Sequence, residues 1–144
     1  MTVEFELELF NSGSAPARAV LAEATLLNAG ANQDRAIDAF FANPVGEGDR
    51  IVAIPPLKRV KIKTRVVAPR EAIQAYEIAG KQVFVPVIAF NALYQWSGGE
   101  GHTAVSYLLG RETDGEKLAP FRLDLGPRIF RGVASRLLPS GVRS

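Results

Sequence analysis

Hydrophobic and polar residues alternate strictly at the start of the chain, where Val3, Phe5, Leu7 and Leu9 interleave with Glu4, Glu6 and Glu8. A period of two turns successive side chains to opposite faces, so this run reads as a strand with an aliphatic face on the core and an acidic face in water. It stops at Asn11-Ser12-Gly13-Ser14, residues that accept turn conformations cheaply. A second run, Ala17 to Asn28, returns with Val20, Ala22, Ala24 and Leu26 on one face, its alanines indicating close packing between layers. A change of period to helical spacing at Ile37, Phe40 and Phe41 predicts a short helix from about Asp34 to Ala42, with Asn32 or Gln33 near its start and Asn43-Pro44 at its end.

A brief strand through Ile51 and Ile54 then ends at Pro55-Pro56. The next alternating run places Val60, Ile62, Thr64 and Val66 on one face and Arg59, Lys61, Lys63 and Arg65 on the other. Ala68-Pro69 opens a second expected helical turn, Arg70 to Ile78, with Gly80 near its stop. From Val83 to Trp96 both faces are apolar, which requires cover on both sides. Pro86 has no N–H for a ladder, so it marks a bulge, a strand start or the end of a neighbouring strand. Ser97-Gly98-Gly99-Glu100-Gly101 leads into Thr103 to Leu109 as a hairpin, and Phe121, Leu123 and Leu125 alternate once more as an edge strand or a cover over that hairpin. Many short strands without a long helical pattern indicate an all-β antiparallel sandwich.

Charge adds a pairing rule. The acidic stripe Glu4/Glu6/Glu8 and the basic stripe Arg59/Lys61/Lys63/Arg65 match if their strands are neighbours, at roughly 0.2–1 kcal/mol per cross-strand pair, enough to help set register. In this order the segments match strands B to G of an immunoglobulin-like sandwich, in which B and E share one sheet while C, F and G form the other. Short helices then fall in the C–D and E–F connections. Asn11-x-Gly13-x-x-x-Ala17, at the end of an alternating strand and before Val20, resembles the bacterial CARDB-type domains, adhesion-related immunoglobulin-like modules of envelope and surface proteins. The resemblance covers residues 1 to about 111. It implies a non-catalytic interaction or spacer module of the cell envelope or periplasm, joined to the membrane only through an anchor outside this chain. A first strand A is expected before Val3 and is missing, which implies either a truncated chain or replacement by the segment around Phe121 to Leu125.

Of 144 residues, 47% are hydrophobic, which suits one domain with a single core, expected over residues 1–126. The absence of cysteine removes disulfides, thiolate nucleophiles and cysteine metal sites. The longest apolar stretch, Phe84 to Trp96, is too short for a membrane-spanning helix, and the acidic, alternating N-terminus has no signal-peptide pattern. Six basic and two acidic residues lie from Glu116 onward, so residues 127–144 read as a basic, partly frayed tail. No aromatic residue is interleaved with the Arg59–Arg65 stripe, and nucleic acid is not an expected partner; a protein partner or self-association is.

Candidate chemistry is sparse. The single histidine, His102, lies near Ser97, Glu100 and Ser106, but without a Gly-x-Ser-x-Gly elbow. Gly98-Gly99-Glu100-Gly101 is neither a dinucleotide fingerprint nor a P-loop, and Asp34/Asp38 and Asp114/Glu116 are too few for calcium. No catalytic residue, metal or cofactor is therefore expected. Tyr94, Trp96, His102 and Tyr107, around the glycine-rich hairpin, are the expected contact residues for a protein partner or, alternatively, for a carbohydrate or small ligand.

Overall fold

The computed structural model describes residues 2–30, 32–42, 48–68, 73–111, 113, 121–122 and 133–143. The elements are β1 (Thr2–Phe10), β2 (Ala17–Asn28), α1 (Gln33–Ala42), β3 (Asp49–Ile54), β4 (Arg59–Val67), β5 (Tyr76–Ile78), β6 (Lys81–Phe84), β7 (Pro86–Trp96), β8 (Gly99–Arg111), β9 (Phe121–Arg122) and β10 (Val133–Arg143). The chain is mostly β and sandwich-like, with antiparallel pairing throughout. A two-stranded β1-β4 sheet lies over a five-stranded sheet of order β10-β8-β7-β2-β3, and a small β5-β6-β9 sheet stands beside them.

The alternation read in the sequence sets this layering. Even positions of β7, Ile88 and Phe90, meet Val3, Phe5, Leu7 and Val66 from the β1-β4 layer, together with Leu109 and Phe121. Phe5 meets Phe90 edge-on, with ring centroids 5.1 Å apart. Odd positions, Val87 and Ala89, face α1, whose Ile37 and Phe41 complete a second cluster with Ala104. The doubly apolar strand is thus covered on both sides by the chain itself. Polar groups lie on the helix-covered face: Asn91 Nδ2 donates to Phe40 O at 2.9 Å, and Asn91 Oδ1 lies 2.8 Å from His102 Nε2. Asn91 thereby satisfies an otherwise free carbonyl near the end of α1 and fixes the helix to the sheet.

The acidic and basic stripes pair as expected. Glu4 is opposite Arg65, Glu6 opposite Lys63 and Glu8 opposite Lys61, with ion pairs Arg59–Glu8 at 2.7 Å and Lys61–Glu6 at 3.8 Å. The first helix spans Gln33–Ala42, within a residue of its expected start.

Three elements differ from the sequence reading. The expected second helix is absent over its described part, Ile73–Ile78: Tyr76–Ile78 is a strand paired with Lys81–Val83. Ala79 (φ 51°) and Gly80 (φ 75°) are both left-handed, the two-residue geometry that joins twisted antiparallel strands. Gly80 is therefore a hairpin residue and not a helix stop. Tyr76 Oη donates to Ala29 O at 2.7 Å and Gln74 N to Asn28 Oδ1 at 2.9 Å, tying this hairpin to the end of β2. The run Val83–Trp96 divides at Val85, where β6 leaves for the small sheet and β7 begins at Pro86, so the proline marks a strand start.

Residues 133–143, expected within the tail, are instead β10, which lines the edge of β8 with a register shift between Leu137 and Gly141. Pairing removes the exposed edge that β8 would otherwise present, and Pro139-Ser140-Gly141 interrupts the alternation that would have revealed the strand. Of the late apolar trio, Phe121 stacks on Phe84 with centroids 5.5 Å apart, while Leu123 and Leu125 lie outside the described residues, as do Asn43-Pro44 and Arg70–Ala72. β3, which falls in the place of strand D in the B-to-G order, pairs with β2, hence with the larger sheet and not with β4.

Candidate functional site

Strand register gathers three connections at one end of the sandwich: residues 11–16 between β1 and β2, 55–58 between β3 and β4, and 97–98 between β7 and β8. Phe10 pairs with Arg59, Ala17 with Ile54 and Arg18 with Gln95, which fixes all three loops at the same ends of their strands.

Asn11 joins the first two loops. Its Nδ2 donates to Ala15 O and to Ile54 O, both at 2.9 Å, and its Oδ1 accepts from the Gly13 N–H at 3.0 Å. Its own N–H donates to Lys58 O at 3.1 Å and its carbonyl accepts from the Leu57 N–H at 2.7 Å. The Asn-x-Gly pair is thus an Asx turn that also clamps the neighbouring loop. That loop closes with the Lys58 N–H donating to Pro55 O at 3.2 Å. Proline at its second position and a positive φ at its third give the type II arrangement, whose third position suits glycine. Here it is Leu57, at φ 60°, a conformation costing an ordinary residue about 1–2 kcal/mol.

The strain holds a large apolar side chain in water. Leu57 is 70% exposed, and Phe10 and Trp96 are each 46% exposed. Arg59 lies over the Phe10 ring at 4.5 Å from its centroid while also bridging to Glu8, so the ring is held between its strand and a guanidinium. Trp96 is an even residue of β7 and projects on the β1-β4 side of the larger sheet. Its indole rests against Gly98, where a Cβ would fall inside the ring; Tyr94 lies in the same way against Gly101. Glycine in this hairpin is therefore a seat for two aromatic rings. Arg18, Lys58 and Arg59, with Glu8 paired to Arg59 and Glu100 in the same strand row as Arg18, all exposed, rim this end with charges of both signs.

The four residues expected at the site separate. Tyr94 and Trp96 share one face at the tip. His102 projects to the opposite face, half-buried under α1 with Asn91. Tyr107 sits opposite Ile88 and packs on Phe90 with centroids 6.0 Å apart. Eight strand positions separate it from the Trp96 level, roughly 26 Å along the strand, and it packs, partly buried, against the core. Phe10, Leu57 and Arg59 belong to the site and were missed. In the sequence Arg59 reads as part of the charge stripe and Leu57 as part of a proline turn, although a leucine following Pro-Pro at a turn's third position is a readable anomaly.

Ser106 and His102 share a face of β8 with Ala104 between them. Four residues at about 3.3 Å each separate them by roughly 13 Å, too far for hydroxyl activation by the ring. Among the described residues no group of three His, Asp or Glu side chains is placed to hold a metal ion, and no helix is long and apolar enough to cross a membrane.

No family model, curated protein or solved structure matches the chain.

Proposed function

We propose that the chain is a non-catalytic, immunoglobulin-like contact module of CARDB type, serving a bacterial envelope assembly, and that it binds a protein partner through the loop end bearing Phe10, Leu57 and Trp96. The sheet partition supports the immunoglobulin-like reading, since β1 and β4 stand for B and E while β2, β7 and β8 stand for C, F and G. One observation carries the functional reading: the left-handed turn position that closes the bonds to Pro55 and Asn11 suits glycine, yet it carries Leu57, whose large apolar side chain is 70% exposed, and backbone outliers of this kind cluster at recognition sites. Apolar anchors bordered by Arg18, Lys58 and Arg59 beside Glu8 and Glu100 fit a partner that presents an apolar knob within a border of mixed charge.

Trp96 is the only indole, so its emission reports occupancy of this end directly. Partner captured from an envelope extract by the intact chain, and identified, should shift that emission and should be lost with Leu57→Gly or Phe10→Ala. Retention of the partner by both variants would reject the surface.

A carbohydrate ligand is the second reading, favoured by the Trp96 indole seated on Gly98 with nearly half of the residue exposed. A flat indole backed by main chain is a stacking surface for a sugar ring. A glycan panel that leaves Trp96 emission unchanged would discard it.

A further inference from the structure

We propose that copies of this chain associate head to tail, the outer edge of β1 in one copy pairing antiparallel with the outer edge of β4 in the next. Among the described residues no strand pairs with either outer edge of the β1-β4 sheet. Both edges are nine residues long, and each offers a full row of main-chain groups for strand addition.

The hydrogen-bond parity shows whose groups these are. The Asn11 N–H donates to Lys58 O, in register with the Phe10–Arg59 pair. Inward and outward groups alternate along an antiparallel strand, so the N–H and C=O groups of Glu4, Glu6 and Glu8 point away from β4, and those of Lys61, Lys63 and Arg65 point away from β1. The charged residues therefore supply both the backbone edge and the outward side chains beside it.

Their signs select the partner. Antiparallel pairing of β1 with a second β1 would align glutamates with glutamates, and β4 with β4 would align cations with cations; like charges directly opposite disfavour both closed dimers. Pairing β1 with β4 of another copy repeats the acidic-to-basic ladder already present within the sheet. A heterologous contact of this kind leaves one edge of each type free, so it propagates or closes into a ring but does not stop at a two-fold dimer. The occupant of each edge is therefore the complementary strand of a second copy.

The test uses sedimentation of the full chain over a wide concentration range. At low salt the average mass should rise with concentration beyond a dimer, and at about 1 M salt, where the screening length falls to about 3 Å, it should return to the monomer. Glu6→Pro removes an outward N–H from β1 only, and Lys63→Pro removes one from β4 only; neither touches a β1-β4 hydrogen bond. Each variant alone should remain monomeric, and an equimolar mixture should form a one-to-one dimer and stop. A wild-type chain that stays monomeric at every concentration in low salt overturns the proposal without reference to any variant. Dimerisation of either folded variant alone, as judged by circular dichroism and Trp96 emission, also overturns it, because that result belongs to a closed dimer.

Discussion

Leu57 holds a strained turn open to solvent. In Leu57→Gly, relief of about 1–2 kcal/mol of left-handed strain is offset by about 0.4–1 kcal/mol of extra unfolded-chain entropy. Chemical denaturation should therefore show stability unchanged or raised by up to about 1.6 kcal/mol while partner binding is lost, a combination that an ordinary packing residue would not give. Ser106 is the inverse case: it is fully buried and its Oγ has no hydrogen-bond partner among the described residues. Removing the hydroxyl in Ser106→Ala should raise the melting temperature, by the equivalent of about 1 kcal/mol, since a buried unsatisfied group costs about 1–3 kcal/mol. A lower melting temperature would show that the hydroxyl has a partner. Asn91, one strand over, is satisfied on both ends of its amide. Asn91→Ala should cost about 2 kcal/mol because it orphans the Phe40 carbonyl as well as deleting a bond.

Secondary-structure elements were legible in proportion to the length of their period. β1 and β4 each carry eight residues of alternation before Leu9-Phe10 and Val66-Val67 break it, and α1 has Ile37 and Phe41 one turn apart, so each is legible within a residue or two. β5 has three residues, Tyr76–Ile78, too few for any period, and its Ala79-Gly80 turn shares a glycine signal with a helix end. β10 hides behind Pro139 and Gly141, where the register shifts. The contact end was half legible for the same reason: Tyr94 and Trp96 announce themselves as aromatics on a strand, whereas Phe10 and Leu57 join them only through the pairing of distant strands. Placing His102 and Tyr107 with them failed because residue proximity along a hairpin says nothing of the face until parity is known. The helix is the element on which the second core depends. Ile37 is completely buried against Val87, Ala89 and Ala104, so Ile37→Ala should cost about 2–5 kcal/mol in equilibrium unfolding, far beyond any surface change on α1.

The whole molecule closes through contacts between residues far apart in sequence, and the β1-β4 ladder is the clearest of them, joining Thr2 to Val67. Its ion pairs do not hold the fold together: the side chains of Arg59 and Glu8 are 63% and 39% exposed, and exposed pairs contribute at most about 1 kcal/mol each. Phe5, Leu7 and Val66 beneath them supply the attraction between layers. What the charges decide is register, because a slip by one residue turns every aliphatic side chain of β1 to water and a slip by two leaves terminal charges unmatched. Reversing one stripe, Glu4→Lys with Glu6→Lys and Glu8→Lys, should therefore lower stability by about 1–3 kcal/mol at low salt as like charges come opposite one another. Reversing the facing residues as well, Lys61→Glu with Lys63→Glu and Arg65→Glu, should recover most of the lost melting temperature, the shortfall coming from Arg59, which keeps its sign and loses its Glu8 partner. High salt should shrink the penalty of the single reversal. If the double reversal is no more stable than the single one, the ladder is not read as a unit and register rests on the aliphatic face alone. The same doubly reversed chain should still associate with itself, because each outer edge again finds the opposite sign on the next copy, but it should mix poorly with the original chain, whose β1 edge would then meet a β4 of its own charge.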